Sequence, residues 1–273
     1  MKQAAVLGSP ISHSLSPVLH RAAYRALGLD WHYAAIEVRE EELGSFLATL
    51  DDSWAGLSLT MPLKEVAIGL CATVEPTAVR IRSVNTLIPQ ADGWHGTNTD
   101  IFGIVRSLAS IGIGRGLESA LVLGAGATAR SAIAALASLE ARNVLVSARR
   151  PEQAHELVAL AAALGLAAEP AAWQPAAALL DCALVVSTLP GDAGGEWAKA
   201  APAATGALLD SSYHPWPTPL AQQWPNGRIA SGRDMLLWQA TEQVRLMTGL
   251  EAPVDAMRAS LPASSGAGAD DTV

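Results

Sequence analysis

The stretch "ESALVLGAGATARSAIAALASL" (residues 118–139) decides the fold class, because an apolar run leads through a glycine turn into a helical pattern of small residues. Gly124, Gly126 and Ala129 form the pattern G-x-G-x-x-A at that turn. In such a turn the glycines let the backbone approach a pyrophosphate, and the helix N-terminus, at about Ala127, supplies N–H donors. The pattern predicts a dinucleotide site, although a tight strand-to-helix turn without a ligand is the alternative.

Two arginines follow the next predicted strand, in "VSARRPEQ" (residues 146–153). A site for NAD usually places an acidic residue at this point to bind the ribose hydroxyls. Arg149 and Arg150 instead offer forked donors that suit a 2′-phosphate. Together with the glycine turn they predict NADP as the cofactor, and a solvated basic corner is the alternative.

Short apolar runs alternate with helical patterns on both sides of this unit, which predicts an α/β fold with largely parallel sheets. Because the glycine turn opens a fresh β-α-β series, a second domain is expected to begin near residue 101. Asp92-Gly93 lies between two apolar runs and predicts a β-hairpin. The amphipathic pattern of residues 234–249 predicts a helix that ends at Gly249.

The composition excludes several classes of function. Half of the 273 residues are apolar and 16% are charged, so a large core can be buried. The net charge is −8 and no basic stripe is present, which argues against a nucleic-acid partner. No signal peptide or apolar run of about 18 residues is found, so we expect a soluble cytoplasmic protein without a membrane partner. The histidines and cysteines lack metal-ligand spacing, so no metal is expected, and Cys71 and Cys182 are expected to be reduced core thiols.

Three polar residues follow predicted strand ends outside the glycine unit. Lys64 ends "SLTMPLK", Asn85 lies in "SVNT" and Asp100 ends "GTNTD". Open α/β sheets gather ligands at the carboxyl ends of their strands, so these side chains are expected in one cleft. A lysine and a carboxylate in one cleft can transfer protons. Considered singly, Lys64 also fits a surface cation and Asp100 fits a helix N-cap.

The N-terminal segment "GSPISHSLSP" (residues 8–17) is rich in hydroxyl groups. Ser16 followed by Pro17 predicts the start of a helix, with Ser16 as its N-cap. Capping does not explain Ser14. A helix N-terminus favours carboxylates, so both hydroxyls are expected where a carboxylate is stabilised.

Together these segments resemble the shikimate dehydrogenase family. The matching segments occur in the family's order and with similar spacing over roughly residues 3–261: "GSPISHSLSP", "SLTMPLK", "SVNTL", "GTNTD", "GAGATAR" and "MLLWQA". The resemblance implies reversible reduction of 3-dehydroshikimate to shikimate by NADPH, in the shikimate pathway of aromatic amino-acid biosynthesis. It implies a small-molecule substrate as the partner, and a monomer or homodimer.

The resemblance also implies two domains. A substrate-binding catalytic domain of residues 1–100 would be completed by about residues 235–261, and a Rossmann-like NADP-binding domain would span residues 101–234. The small, polar and acidic residues 262–273 are expected to form a disordered tail.

Residue by residue, the resemblance gives Lys64 and Asp100 the catalytic roles, without deciding which of them moves the proton. Ser14 and Ser16 would bind the substrate carboxylate. The other expected substrate contacts are Thr60, Asn85, Tyr213 and Gln239. The expected cofactor contacts are Gly124, Gly126, Ala127, Ala129, Arg149, Arg150 and Gly232.

Some residues depart from the family pattern, among them Ser58, where many members have asparagine. A quinate/shikimate or aminoshikimate dehydrogenase of the same family is an alternative, which Ser16 and Arg149 disfavour. A non-catalytic NADP-binding paralogue is another, which the retained catalytic pair and Gln239 disfavour. The "SLS" segment also disfavours an enzyme that resembles glutamyl-tRNA reductase or methylenetetrahydrofolate dehydrogenase.

Overall fold

Two six-stranded sheets organise the chain in the computed structural model, which describes residues 1–225 and 227–262. Residues 263–273, nearly all of the expected tail, lie outside the described residues. The first sheet contains β1 (Lys2–Gly8), β2 (Trp31–Glu37), β3 (Trp54–Leu59), β4 (Thr73–Val74), β5 (Thr86–Gln90) and β6 (Gly93–Thr97). The second contains β7 (Ser119–Leu123), β8 (Asn143–Ser147), β9 (Ala168–Ala171), β10 (Leu184–Ser187), β11 (Ala207–Asp210) and β12 (Ile229–Ser231).

Helices connect and cover these strands. The longer ones are α1 (Ser16–Ala26), α4 (Asp100–Ser110), α5 (Ala127–Ser138), α6 (Pro151–Ala163) and α10 (Gly232–Thr248). The shorter ones are α2 (Leu43–Leu47), α3 (Pro76–Arg80), α7 (Ala177–Leu180), α8 (Gly195–Ala198), α9 (Pro219–Gln222) and α11 (Val254–Ser260). The chain also forms short 3₁₀ helices at Glu40–Glu42, Val66–Leu70, Gly191–Gly194 and Ala201–Ala203.

The second sheet confirms the strand, turn and helix predicted around the glycine motif. Its strands run parallel in the order β9-β8-β7-β10-β11-β12, so the order reverses between β7 and β10, where dinucleotide-binding folds hold their ligand. Gly124 follows β7 with a φ of +102°. A Cβ at Gly124 would lie 2.4 Å from Thr188 Oγ1, so both the backbone and the neighbouring strand end require glycine.

The first sheet has the order β2-β1-β3-β5-β6-β4 and is mixed. Strands β1, β2 and β3 are parallel, whereas β5 is antiparallel to both β3 and β6. The sheet is therefore only partly parallel, because β5 turns back directly into β6. That turn confirms the predicted hairpin, in which Gln90 pairs with Gly93.

The C-terminal helices return the chain to the first sheet. Leu237 and Val244 of α10 are buried with Val6 of β1, in a core that also receives α1 and α11. Asp234 forms a capping box at the start of α10, and Gly249, with a φ of +72°, ends it as predicted. The limits expected for the two domains remain predictions.

Two kinds of feature were not found in the part of the chain that the structure describes. Within residues 1–225 and 227–262, no helix is long and apolar enough to cross a membrane, and no cluster of three or more His, Cys, Asp or Glu could hold a metal. Cys71 and Cys182 are free and half-buried, and burial raises the pKa of each thiol to about 11. Both thiols therefore stay protonated near neutral pH.

Candidate active site

A cavity of about 210 Å³ is lined by segments that follow strands of both sheets. The residues predicted from the sequence that line it are Ser14, Ser16, Thr60, Lys64, Asn85, Asp100, Tyr213, Gly232 and Gln239. Thr128 in the first turn of α5 and Ser211 after β11 complete the side nearest the glycine turn. The carboxyl ends of the two sheets thus face a shared space, where open α/β folds bind ligands.

Lys64 and Asp100 form an ion pair on the cavity wall. Lys64 Nζ lies 2.5 Å from Asp100 Oδ2, and their side chains are 15% and 6% exposed. Asn85 Nδ2 donates to the other carboxylate oxygen, Oδ1, at 2.7 Å. Both oxygens of Asp100 therefore accept hydrogen bonds. Lys64 uses one of its three N–H groups on Asp100 and has two left for a group in the cavity.

The orientation of the Asn85 amide is fixed by its buried neighbours. Its Oδ1 accepts from the Thr99 backbone N–H at 2.7 Å and from Thr86 Oγ1 at 2.8 Å. Because a backbone N–H can only donate, the amide must turn Nδ2 towards Asp100. Gln239 Oε1 joins the same network, 3.3 Å from Thr99 Oγ1.

The prediction that Ser16 is the N-cap of α1 is wrong. Leu15 occupies the cap position without a side-chain hydrogen bond, and Ser16 is the first helical residue. Ser14 Oγ instead accepts from the Ser16 backbone N–H at 3.3 Å. Ser14, for which the sequence offered no structural role, therefore satisfies a free amide at the helix start.

The alternative that Asp100 caps α4 is also wrong. Thr99 occupies the cap position, and Asn98 Oδ1 accepts from the Ile101 backbone N–H at 3.2 Å. The reason is that both carboxylate oxygens of Asp100 are already used by Lys64 and Asn85. Asp100 thus faces the cavity wall and leaves the capping to Asn98.

The residues expected to hold the cofactor fit a dinucleotide. A Cβ at Gly126 would meet nothing within 4 Å, so open space lies in front of the α5 N-terminus at Ala127. Arg149 and Arg150 are exposed after β8, and neither forms an ion pair with another described residue. Ala129 is completely buried in the core, so it packs the helix against the sheet and has no surface for a ligand.

Tyr213, which follows β11, brings a hydroxyl group to the cavity from the second sheet. Burial raises the pKa of this hydroxyl above its ordinary value of 10.0. Tyr213 therefore keeps its proton near neutral pH and can act as a hydrogen-bond donor.

The structure adds cavity residues that the sequence reasoning did not select. Ser58 and Gln243 line the cavity and are hydrogen-bonded to each other at 2.9 Å. Gln239 and Gln243 are four residues apart, which places both side chains on one face of the helix. This spacing would have allowed Gln243 to be predicted from the sequence. At the cavity, His13 stacks on His214, with ring centroids 5.4 Å apart, and joins segments that follow the two sheets.

Comparisons with known proteins agree with this arrangement. Residues 6–87 match the family model for the shikimate dehydrogenase substrate binding domain, and residues 232–261 match the model for the shikimate 5'-dehydrogenase C-terminal domain. The NADP(+) shikimate dehydrogenase of Moorella thermoacetica is 35% identical, and the match covers 96% of this chain and 94% of that protein.

Two crystal structures extend the likeness to three dimensions. The Mycobacterium tuberculosis shikimate dehydrogenase has a TM-score of 0.88 and 40% identity, covering 95% of this chain and 98% of that chain. The Thermus thermophilus enzyme in complex with NADP(H) and shikimate has a TM-score of 0.81 and 32% identity, covering 95% and 98%. Sequence and structure agree over nearly the whole length, and the chain belongs to the shikimate dehydrogenase family.

Proposed function

We propose that the protein is an NADP-dependent shikimate dehydrogenase, which reversibly reduces 3-dehydroshikimate to shikimate in the shikimate pathway. The observation that carries this proposal is the ion pair of Lys64 and Asp100 in a cavity that also reaches Thr128, in the first turn of α5. The proton-transfer groups and the helix N-terminus that suits a dinucleotide thereby face the same space. The Moorella thermoacetica relative is a shikimate dehydrogenase of the NADP(+) type, and the Thermus thermophilus structure contains NADP(H) with shikimate.

The carboxylate of the substrate would bind to hydroxyl donors. Ser14 and Ser16 line the cavity at the N-terminus of α1, where the helix dipole favours a negative group. Tyr213, which stays protonated, would donate from the segment that follows β11 of the second sheet. Three neutral donors can hold a carboxylate without bringing a second charge next to Lys64.

Lys64 would supply the proton to the reacting oxygen. Its ammonium is held by Asp100, whose two oxygens accept from Lys64 and Asn85, so the carboxylate carries no free proton to give. Bound NADPH supplies the hydride to the carbonyl carbon. As negative charge grows on the carbonyl oxygen, a free N–H of Lys64 stabilises it and then transfers its proton.

The chain's own residues would orient the two reactants. Asn85, Thr60 and Gln239 would hold the ring hydroxyls on the substrate side. The Gly124–Gly126 turn and the first amides of α5 would hold the pyrophosphate, and the two arginines after β8 would contact the 2′-phosphate.

The proposal is tested by a steady-state assay of the purified protein, with shikimate or quinate and NADP⁺ or NAD⁺, read at the absorbance of the reduced nicotinamide. We expect turnover of shikimate with NADP⁺ and a much lower kcat/KM for the other three combinations. A folded protein that oxidises shikimate with neither cofactor would overturn the proposal. A higher kcat/KM for quinate would favour the quinate/shikimate alternative.

We also propose a cytoplasmic location and a monomer or homodimer, for which the support is the family resemblance alone. Analytical ultracentrifugation of the purified protein would show the oligomeric state directly.

A further inference from the structure

A buried chain of hydrogen bonds ends at the cavity wall on Ser58. Ser58, on β3, is one of the residues that line the cavity, and it is 3% exposed. Tyr33 on β2 donates its hydroxyl proton to Ser58 Oγ at 2.6 Å. Ser58 Oγ in turn lies 2.9 Å from Gln243 Oε1. Ser58 therefore has two protein partners before any substrate enters.

The direction of this chain is fixed by groups that can only donate or only accept. Gln243 Nε2 lies 3.4 Å from the backbone carbonyl of Asn85 and 3.0 Å from Thr86 Oγ1. Because a carbonyl only accepts, the amide must turn its nitrogen towards Asn85 and its oxygen towards Ser58. An amide oxygen only accepts, so Ser58 must give its single proton to Gln243. Tyr33 is then the donor in its bond to Ser58.

Tyr33 is held as a donor by its surroundings. Its side chain is fully buried, and burial raises the pKa of its hydroxyl well above 10.0. Its ring stacks on His20, with ring centroids 4.0 Å apart and an angle of 16° between the planes. The hydroxyl therefore keeps both its proton and its direction near neutral pH.

We propose that Tyr33 is a positioning residue that, with Gln243, makes Ser58 a pure hydrogen-bond acceptor towards the cavity. A hydroxyl group has one proton to donate and two lone pairs that can accept. Ser58 donates its hydrogen bond to Gln243, and one of its lone pairs accepts from Tyr33. The second lone pair is left to accept a hydrogen bond from the ligand. Ser58 then accepts from a hydroxyl of the substrate and disfavours a group that can only accept. This inference rests on the proposed function, and the partner is a shikimate hydroxyl that is not oxidised, at C4 or C5.

Shikimate analogues with hydrogen or fluorine in place of the C4 or C5 hydroxyl test the proposal, because fluorine accepts but cannot donate. At one of the two carbons, we expect the wild-type protein to lose about three- to tenfold in kcat/KM with either replacement, the range of a neutral hydrogen bond. Ser58→Ala should lose a similar factor with shikimate, and its further loss with those analogues should be smaller than that of the wild type. Fluorine analogues used as well as shikimate at both carbons would overturn the proposal.

Two tyrosine variants separate positioning from packing. Tyr24 is 1% exposed and its ring lies 6.3 Å from that of Tyr33, but among the described residues its hydroxyl is hydrogen-bonded only to Met247 Sδ, at 3.9 Å. We expect Tyr33→Phe to raise the KM for shikimate and weaken the preference for hydroxyl over fluorine, whereas Tyr24→Phe changes neither. Thermal melts of both variants check that they fold. Equal behaviour of the two variants would overturn the role of Tyr33.

Wild-type protein that turns over no shikimate would overturn the proposed function itself, whereas normal shikimate turnover without the preference for hydroxyl over fluorine would overturn only this inference.

Discussion

His20 makes the stability of this protein depend on pH in a predictable direction. Its ring is completely buried in α1, its Nδ1 donates to the Ser16 carbonyl at 2.9 Å, and its Nε2 has no partner among the described residues. Burial lowers the pKa of His20 from 6.5 to about 4. The folded protein thus keeps the ring neutral, whereas the unfolded chain binds a proton below pH 6.5. The stability contributed by the neutral ring is complete above pH 6.5 and is lost as the pH falls towards 4.

The size of the effect follows from the two pKa values. Each pH unit between them corresponds to about 1.4 kcal/mol of unfolding free energy. Between pH 7.5 and pH 5, we therefore expect His20 alone to lower the free energy of unfolding by about 2 kcal/mol. Because whole domains are stable by only about 5–15 kcal/mol, this loss is large enough to measure.

Urea unfolding at several pH values between 7.5 and 5 tests the prediction through the difference between wild type and His20→Phe. Phenylalanine keeps a ring against Tyr33 but cannot bind a proton, so the variant should lose about 2 kcal/mol less than wild type across this range. His155→Phe is the matched control, because His155 Nδ1 also contacts the carbonyl four residues earlier, at 2.8 Å, but its ring is exposed. His155→Phe should follow wild type. A constant difference between wild type and His20→Phe over the whole range would refute the reasoning.

Three further predictions concern the proposed active site. Lys64→Met should lower kcat about 10²–10⁴-fold and change the KM for shikimate much less, since the ammonium acts mainly on the charge that develops in the transition state. A thermal melt checks that the variant folds, and a near-normal kcat would exclude Lys64 from the chemical step. Ser14→Ala and Ser16→Ala should both weaken shikimate binding in calorimetry, but only Ser14→Ala should also cost about 1 kcal/mol in urea unfolding, because Ser14 accepts the amide at the helix start. Replacing Arg149 and Arg150 by alanine should raise the KM for NADP⁺ far more than that for NAD⁺, with a loss of at most about 1.5–3 kcal/mol for each charged contact; equal losses with both cofactors contradict the assignment.

The parts of the fold that the sequence predicts well are those whose signals lie in consecutive residues. The glycine turn, with Gly124 required by its backbone conformation, and the hairpin at Gly93 are of this kind. The antiparallel pairing of β5 with β3 cannot be predicted in this way. Parallel and antiparallel strands both appear in the sequence as apolar runs, and the direction of pairing depends on which distant strand lies alongside.

The active-site cavity shows the same limit on a smaller scale. Sequence motifs identify Lys64, Asn85 and Asp100, but not which side chain each one contacts. Asp100 does not cap α4 because a tertiary contact decides where its side chain turns. It pairs with Lys64, and the Ile101 amide of the first turn donates to Asn98 instead. Tyr33 escaped notice because nothing in its own segment distinguishes an ordinary core tyrosine from one that donates to a residue of the cavity wall, as Tyr33 does to Ser58.

Hydrogen bonds join α5, which follows the glycine turn, to segments that flank the proposed catalytic pair. Arg130 Nε donates to the Ile81 carbonyl at 2.7 Å, and its Nη2 lies 3.2 Å from Glu65, the residue after the lysine of the pair. Asn98, two residues before the aspartate, lies 3.3 Å from Ser131 Oγ. These contacts come from the first two turns of the helix whose N-terminus faces the expected pyrophosphate. The helix therefore cannot shift on binding a dinucleotide without moving these segments or breaking the bonds. These bonds cross between the two sheets, so they would hold a cofactor bound at the α5 N-terminus in a fixed position relative to the segment that carries Lys64.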